Sequence, residues 1–310
     1  MALYMNKTLV AIKKETTYNT AETLTGAECF LVSNVSLTPL AGNTATRDFV
    51  RPYFGNSSTI QLDQHVELTF EVELQSSGTA GTRPAYGDAL LACGCDETVT
   101  ASTDVVYSLV SADGDSATIE VFMDGVKHQM TGARGSFSLN IARGSIPKIS
   151  FSFFGSYVAP ADATPLVPDY SGFIAPLGPN STNTPDVVLH GVDLCMESFQ
   201  MDLANNLVFR DLPGCTSASL ITNRAPSGTV VFEAQTVAGH AWIETARLKT
   251  SGALHISHGT TTGHIVEIDA PAVTLNPPTY SDSDGIMMMS APLVFEPTSA
   301  GNDELVLTFL

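Results

Sequence analysis

The chain has 310 residues with a hydrophobic fraction of 44%, enough for one large core or two ordinary ones, which excludes an unfolded chain. Its 14 Lys and Arg stand against 32 Asp and Glu, and a formal charge of −18 repels phosphates and anionic membranes, excluding a protein that grips nucleic acid. Five cysteines, an odd number, fit a reducing compartment; with no apolar leader in residues 1–14 and no run of about 18 apolar residues, cytoplasmic synthesis without a membrane span is expected.

In chain order, residues 1–32 read as an N-terminal arm with little core of its own. Residues 65–74 alternate strictly: Val66, Leu68, Phe70, Val72 and Leu74 on one side, Glu67, Thr69, Glu71 and Glu73 on the other. A period of two is a half-buried strand, here with one acidic face. Residues 84–93 open with Pro84 and end at Gly94, the start and stop of a short helix. Strands are expected at 105–110, 117–123, 135–141 and 149–154, and Asp124-Gly125 reads as a tight hairpin between 118–123 and 126–131. Residues 157–185 hold six prolines and read as an extended linker or docking arm. Beyond it come a strand at 229–235, a helix at 238–250 ending before Gly252, and strands at 252–259, 264–269 and 304–309. The fold class is mostly β: an antiparallel sandwich or barrel, each half flanked by one short helix.

The order strand, helix, short strands, closing strand occurs twice, at an offset of about half the chain. Upstream, Arg47-Asp48 precedes Gly55, and Arg210-Asp211 precedes Gly214. This pattern reads as a degenerate tandem duplication: an arm at 1–32, a first β domain at 33–156, a Pro-rich linker at 157–186 and a second β domain at 187–310.

Catalytic chemistry finds no support. Cys93-Gly-Cys95 lacks the gap of a zinc knuckle. His255 and His258, with His264 and His240 nearby, are three apart on a strand pattern, which sends them to opposite faces. Asp113-Gly-Asp115 and Asp282-Ser-Asp284-Gly285 lack the distant Glu of a calcium loop and read as turns. No nucleophile elbow or phosphate-cradling loop occurs, and Trp242 stands without the aromatic partners of a sugar site. A carboxylate pair of a glycosidase is spatial and leaves no sequence mark. No cofactor or metal is expected. The informative feature is the acidic strand faces, Glu67, Glu71 and Glu73 in the first half and Glu233, Glu267 and Asp269 in the second. They read either as an ordinary solvated surface or as a wall past which DNA slides without sticking.

Several stretches resemble a known family. They are the N-terminal run Lys13-Lys-Glu-Thr-Thr-Tyr18-Asn-Thr; Ser36-Leu-Thr-Pro39-Leu followed by Arg47-Asp-Phe-Val-Arg-Pro52-Tyr-Phe-Gly55; Tyr86-Gly-Asp-Ala-Leu-Leu-Ala-Cys-Gly94; and the segment from Phe122-Met-Asp-Gly125 through Ile146-Pro-Lys-Ile-Ser-Phe-Ser-Phe-Phe-Gly155. Together they are similar to the tail tube (major tail) proteins of long-tailed, non-contractile bacteriophages. The resemblance implies a non-enzymatic virion protein of the tail, a β-sandwich with a flanking helix that assembles in the host cytoplasm into stacked rings. Single-domain members form hexamers and two-domain members trimers of the same shape; a trimeric, pseudo-hexameric ring is the expectation, with the hexamer as alternative. It also implies tail terminator, tape-measure and distal tail proteins as partners, and DNA passing through the lumen. The six carboxylates are then candidates for the lumen wall. A capsid-decorating or receptor-binding β-sandwich would share the strand pattern but would remain a small oligomer.

Overall fold

The structure is a computed structural model that describes residues 2–112 and 114–310. Asp113, and with it the Asp113-Gly-Asp115 turn, lies outside the described residues, as does Met1. Strand β1 (Thr8–Lys14) carries the run Leu9-Val-Ala-Ile12 and is buried through its middle. A single 3-10 turn (Gly26–Glu28) follows, with Thr25 and Glu28 capping it reciprocally, and leads into β2 (Cys29–Phe30). Next come β3 (Ser33–Ala41), the exposed pair β4 (Thr44–Thr46) and β5 (Thr59–Gln61), and β6 (His65–Glu73), whose alternation is as expected. Helix α1 (Gly87–Ala92) stops at Gly94, whose φ of +82° suits a residue without a Cβ. The hairpin β7 (Cys95–Thr100) and β8 (Asp104–Leu109) precedes β9 (Ala117–Met123) and β10 (Val126–Ala142). Asp124 and Gly125 join the last two with φ of 45° and 102°, the left-handed pair a two-residue hairpin requires. Strand β11 (Lys148–Asp162) runs past Pro160, which is tolerated because β6 leaves that edge at Ser156.

The second half holds β12 (Asp186–Leu189), β13 (Val192–Asp193), β14 (Met196–Asp202), and the pair β15 (Asn205–Arg210) and β16 (Ala218–Arg224). After β17 (Ser227–Glu233) comes α2 (Trp242–Leu248), shorter than its sequence pattern because Thr236 to His240 form a turn instead. It ends on Lys249, in the left-handed region at φ 52°, with its ammonium on the Leu275 carbonyl at 2.9 Å. Then follow β18 (Gly252–His258), β19 (Val266–Leu275), β20 (Thr279–Ser283), β21 (Ile286–Phe295) and β22 (Val306–Phe309).

All pairings are antiparallel. In the first half the strand order is β3-β6-β11-β10-β9-β1-β2. In the second it is β14-β17-β21-β19-β18-β12-β13, with β20 continuing along the β21 edge where β19 leaves it. Two junctions join the halves. The far end of β10, Ser138 to Ala142, pairs with β14 on the edge that β9 has vacated, and β22 lies between β19 and β8. One apolar core spans both halves and includes Phe70, Phe151, Phe153, Phe199, Phe232, Trp242 and Phe309. Burying each such ring contributes roughly 1.5–3 kcal/mol.

The segment read as an N-terminal arm is more deeply seated than its sequence suggested. Strand β1 pairs with β9 along its whole length, and Leu9, Ala11, Leu24, Cys29 and Phe122 form a satellite cluster. The Pro-rich segment is strapped to its own chain. Leu166 and Tyr170 cover that cluster, the Asp169 amide donates to the Gly26 carbonyl at 2.8 Å, and Phe173 packs edge-on against Phe30. At its far end the His258 Nε2–H donates to the Leu177 carbonyl at 3.0 Å, its Nδ1 pairs with the Thr184 hydroxyl at 2.8 Å, and the Gly259 amide donates to the Asn183 carbonyl.

Candidate functional site

Through the far end of β10, which has β11 on one edge and β14 on the other, eight strands form a continuous sheet in the order β3-β6-β11-β10-β14-β17-β21-β20. One face is apolar and covers the core: Leu68, Phe70, Phe151, Phe153, Leu139, Ile141, Phe199, Met201, Val230 and Phe232 are buried. Alternation forces the residues between them onto the other face, which is mostly polar and also carries Phe154, Val231, Met288 and Pro292. One cross-strand row runs Glu71, Ser150, Ser138, Asp202 and Ser227. The next runs Glu73, Lys148, Asn140, Gln200 and Thr229. The hydroxyls and amides hydrogen-bond water as readily as one another, so these two rows have no apolar grip, and their fixed charges are Glu71, Glu73, Asp202 and Lys148.

Of the six candidate carboxylates, four lie on this face. Glu67 meets the His65 ring at 3.3 Å, and Glu233 sits on β17 beyond Val231. Glu71 accepts from the Lys148 ammonium at 2.7 Å and from the Asn34 amide at 2.8 Å. The Lys148 hydrogen bond holds the Glu71 carboxyl below its usual range, against a smaller opposing effect of burial. Glu73 stands opposite Lys148 in the register. The other two are elsewhere: Glu267 and Asp269 are on the part of β19 that pairs with β18 and β22, outside the eight-strand sheet. Asp269 meets the His255 ring at 2.7 Å, and burial raises the Glu267 carboxyl. Strand alternation identifies a wet face, but membership of a sheet depends on long-range pairing, which is why the six separate.

Asp202 and the row of Ser136, Ser138, Asn140, Ser150 and Ser152 belong to the same face and were not singled out from the sequence. Their signal was present in the alternation of residues 135–141 and 149–154, but a hydroxyl carries no charge to draw notice. The histidines do not converge: His255 is on the half-exposed side of β18 with Asp269, and His258 is buried under the Pro-rich segment. Among the described residues no three His, Cys, Asp or Glu are grouped to hold a metal ion. Burial pushes the Cys29 thiol up to about 11 and Cys95 up to about 12, so neither is a nucleophile at neutral pH.

An open, hydroxyl-rich sheet face with scattered carboxylates defines a structural protein that presents a surface. A family model described as phage tail tube protein matches residues 5–297, and the chain belongs to that family. No curated protein matches it. The family is structural, not enzymatic, and its members are components of the virion tail that assemble with themselves and other tail proteins into a tube.

Proposed function

We propose that three copies of this chain close into a ring, that rings stack into the tail tube, and that the polar face of the eight-strand sheet lines the channel through which DNA is ejected. The observation that carries this reading is the sheet itself: its outward face is polar and poor in cations, and the outer edges of its end strands, β3 and β20, have no strand partner among the described residues. Unpaired edges on a broad sheet invite another chain. Three copies supply 24 strands. At about 4.8 Å per strand and a tilt of about 40°, they form a cylinder about 48 Å across at the backbone. Side chains narrow this to about 36 Å, still wider than a double helix. Six copies would give about 96 Å, far more than DNA needs.

In this reading the halves, 33–156 and 187–310, are tandem copies of one domain joined by the linker 157–186, and each ring of three has sixfold pseudo-symmetry. The matching strand orders support the duplication, and because β1-β2 matches β12-β13 the first copy takes in residues 8–30 as well. Glu67, Glu71, Glu73 and Glu233, together with Asp202, face the lumen and repel phosphates along the passage; Glu267 and Asp269 face outward. Tail terminator, tape-measure and distal tail proteins meet the tube at its ends and in its channel, and assembly takes place in the host cytoplasm. Electron microscopy and light scattering of the purified protein at high concentration test the proposal: rings and tubes are expected, and a monomer at every concentration and salt refutes it.

A further inference from the structure

We propose that the ring closes by one strand pairing, β20 of one copy against β3 of the next, and that the β4–β5 hairpin then lies across the neighbour's β19–β21 surface. This rests on the ring reading above and names the contact that makes it. The chain already contains the pattern for this contact. In the first half β10 keeps β11 on one edge throughout, while its other edge is taken by β9 up to Ala133 and by β14 from Ser138 to Ala142. In the second half the same course is run by β19 and, after Pro277-Pro278, β20. Strand β18 lines the outer edge up to Val273, β21 holds the opposite edge of both, and the place that β14 fills in the first half is empty beside β20.

The counterpart of β14 is β3. Each is the end strand of its order, paired to β17 or β6 on one edge, and while β14 uses its other edge on β10, that edge of β3 is unpaired among the described residues. The pairs fix the register. Leu139 stands opposite Ile149 as Tyr280 stands opposite Met289, and Met201 stands opposite Gly228 as Leu37 stands opposite Leu68. Since Leu139 pairs with Met201, Tyr280 pairs with Leu37 of the next copy, Ser281 with Ser36 and Thr279 with Thr38. Tyr280 is 56% exposed in the single chain, and every residue of β20 except Ser283 is exposed.

The two short hairpins follow the same logic. The β15–β16 hairpin, between β14 and β17, is seated on the first half: Phe209 stacks on His65 at 5.0 Å, the Ser219 amide donates to the Tyr18 hydroxyl at 2.8 Å, and the Asn205 side chain donates to the Cys93 and Gly135 carbonyls. The β4–β5 hairpin, between β3 and β6, has the corresponding place in the chain but no seat. Phe49, Val50, Tyr53, Phe54, Ile60 and Leu62 are exposed on and around it, Val50 and Phe54 completely. A second copy of this chain, bringing its second half to the β3 edge, covers them.

The test is cross-linking in register. In a background with the exposed Cys195 and Cys215 replaced by serine, the pairs Ser36→Cys/Ser281→Cys and Leu37→Cys/Tyr280→Cys are treated with a short bis-maleimide after assembly. The expected product on a denaturing gel is a ladder ending at three chains, absent from an out-of-register control, Asn34→Cys/Thr279→Cys. Ser283 and Ile286 close the two-residue turn as a hydrogen-bonded pair, so the amides of Ser281 and Thr279 face β21 and that of Tyr280 faces the free edge. A Tyr280→Pro variant, lacking that outward donor, should keep the melting temperature of the single chain and lose at least tenfold in assembled protein. Rings or tubes that form without these cross-links, or with the control linking equally well, overturn the pairing while leaving the tube reading intact. No assembly of the parent protein overturns both.

Discussion

The double substitution Glu67→Lys/Glu73→Lys reverses two charges on the sheet face and keeps Glu71 and Lys148 themselves, although it sets a second lysine opposite Lys148 in the register. Each chain presents Glu67, Glu71, Glu73, Asp202 and Glu233 there against Lys148, so the exchange moves the face from a net charge of about −4 to about zero and gives a ring of three about six new ammonium groups. If these line a channel, each can hold a phosphate and release a counterion. With a salt slope of about −0.9 per contact, six contacts make DNA retention fall roughly a thousandfold between 50 and 200 mM salt. The assay is co-sedimentation of double-stranded DNA with assembled tubes across that range, beside DNA delivery by virions carrying the variant. Parent tubes should retain no DNA, the lysine variant should retain it in a salt-sensitive way, and delivery should fall. The companion Glu67→Gln/Glu73→Gln should assemble as well as the parent or more readily at low salt, because crowded carboxylates repel one another. Lysine-bearing virions that deliver DNA as well as the parent, even while their tubes bind added DNA, would place these side chains on the outer wall and refute the lumen assignment.

Three further substitutions test how the fold is held. Glu15 is buried and accepts from the amides of Asn19 and Gly132 and the hydroxyls of Ser116 and Thr118; Glu15→Ala orphans these donors and should cost about 3 kcal/mol by denaturant unfolding. Lys148→Met should lower the melting temperature at pH 7. Because the folded Glu71 carboxyl titrates below its unfolded value of about 4.3, this contribution is full above that pH and disappears as pH falls through the lowered value, so the two proteins should converge in acid. Gly135→Ala places a Cβ 2.5 Å from the Ser152 carbonyl oxygen and 2.6 Å from the Phe153 ring; backbone and a buried ring cannot both yield, and a loss of about 2–3 kcal/mol is expected in thermal unfolding.

Strands with one buried face were legible in the sequence, because burial writes a period of two: β6 and the inner parts of β10 and β11 appear where alternation put them, and β9, though buried on both faces, keeps the alternation through Thr118 and Glu120. The β9–β10 hairpin was equally plain, since Asp124-Gly125 supplies the positive φ that its turn needs. Strands at the margins were not. β20 (Thr-Tyr-Ser-Asp-Ser) is exposed along most of its length, and β3, β4 and β5 bury little, so nothing selects an alternating pattern in them. β1 hides for the opposite reason: both its faces are covered, and a run without alternation resembles any short apolar stretch. For the site, alternation told which carboxylates are wet but not that Glu267 and Asp269 leave the sheet that holds Glu67 and Glu233. That distinction depends on β10 exchanging β9 for β14 midway, a choice made between residues about sixty positions apart.

The strand β22 gives the order of the chain a role in time. Residues 306–309 pair with β8, some two hundred positions earlier, and Phe309 sets its ring edge-on between Tyr86 at 6.0 Å and Tyr107 at 5.6 Å. While a ribosome is still making the middle of the protein, the first half therefore has an open edge at β8 and a hole beside those two tyrosines. Only residues about two hundred positions further along the chain fill both. Closing so long a loop is slow, and it makes completion of the first half's core a report that the second half has been synthesised. A chain cut before β22 would leave that edge unpaired and that hole unfilled.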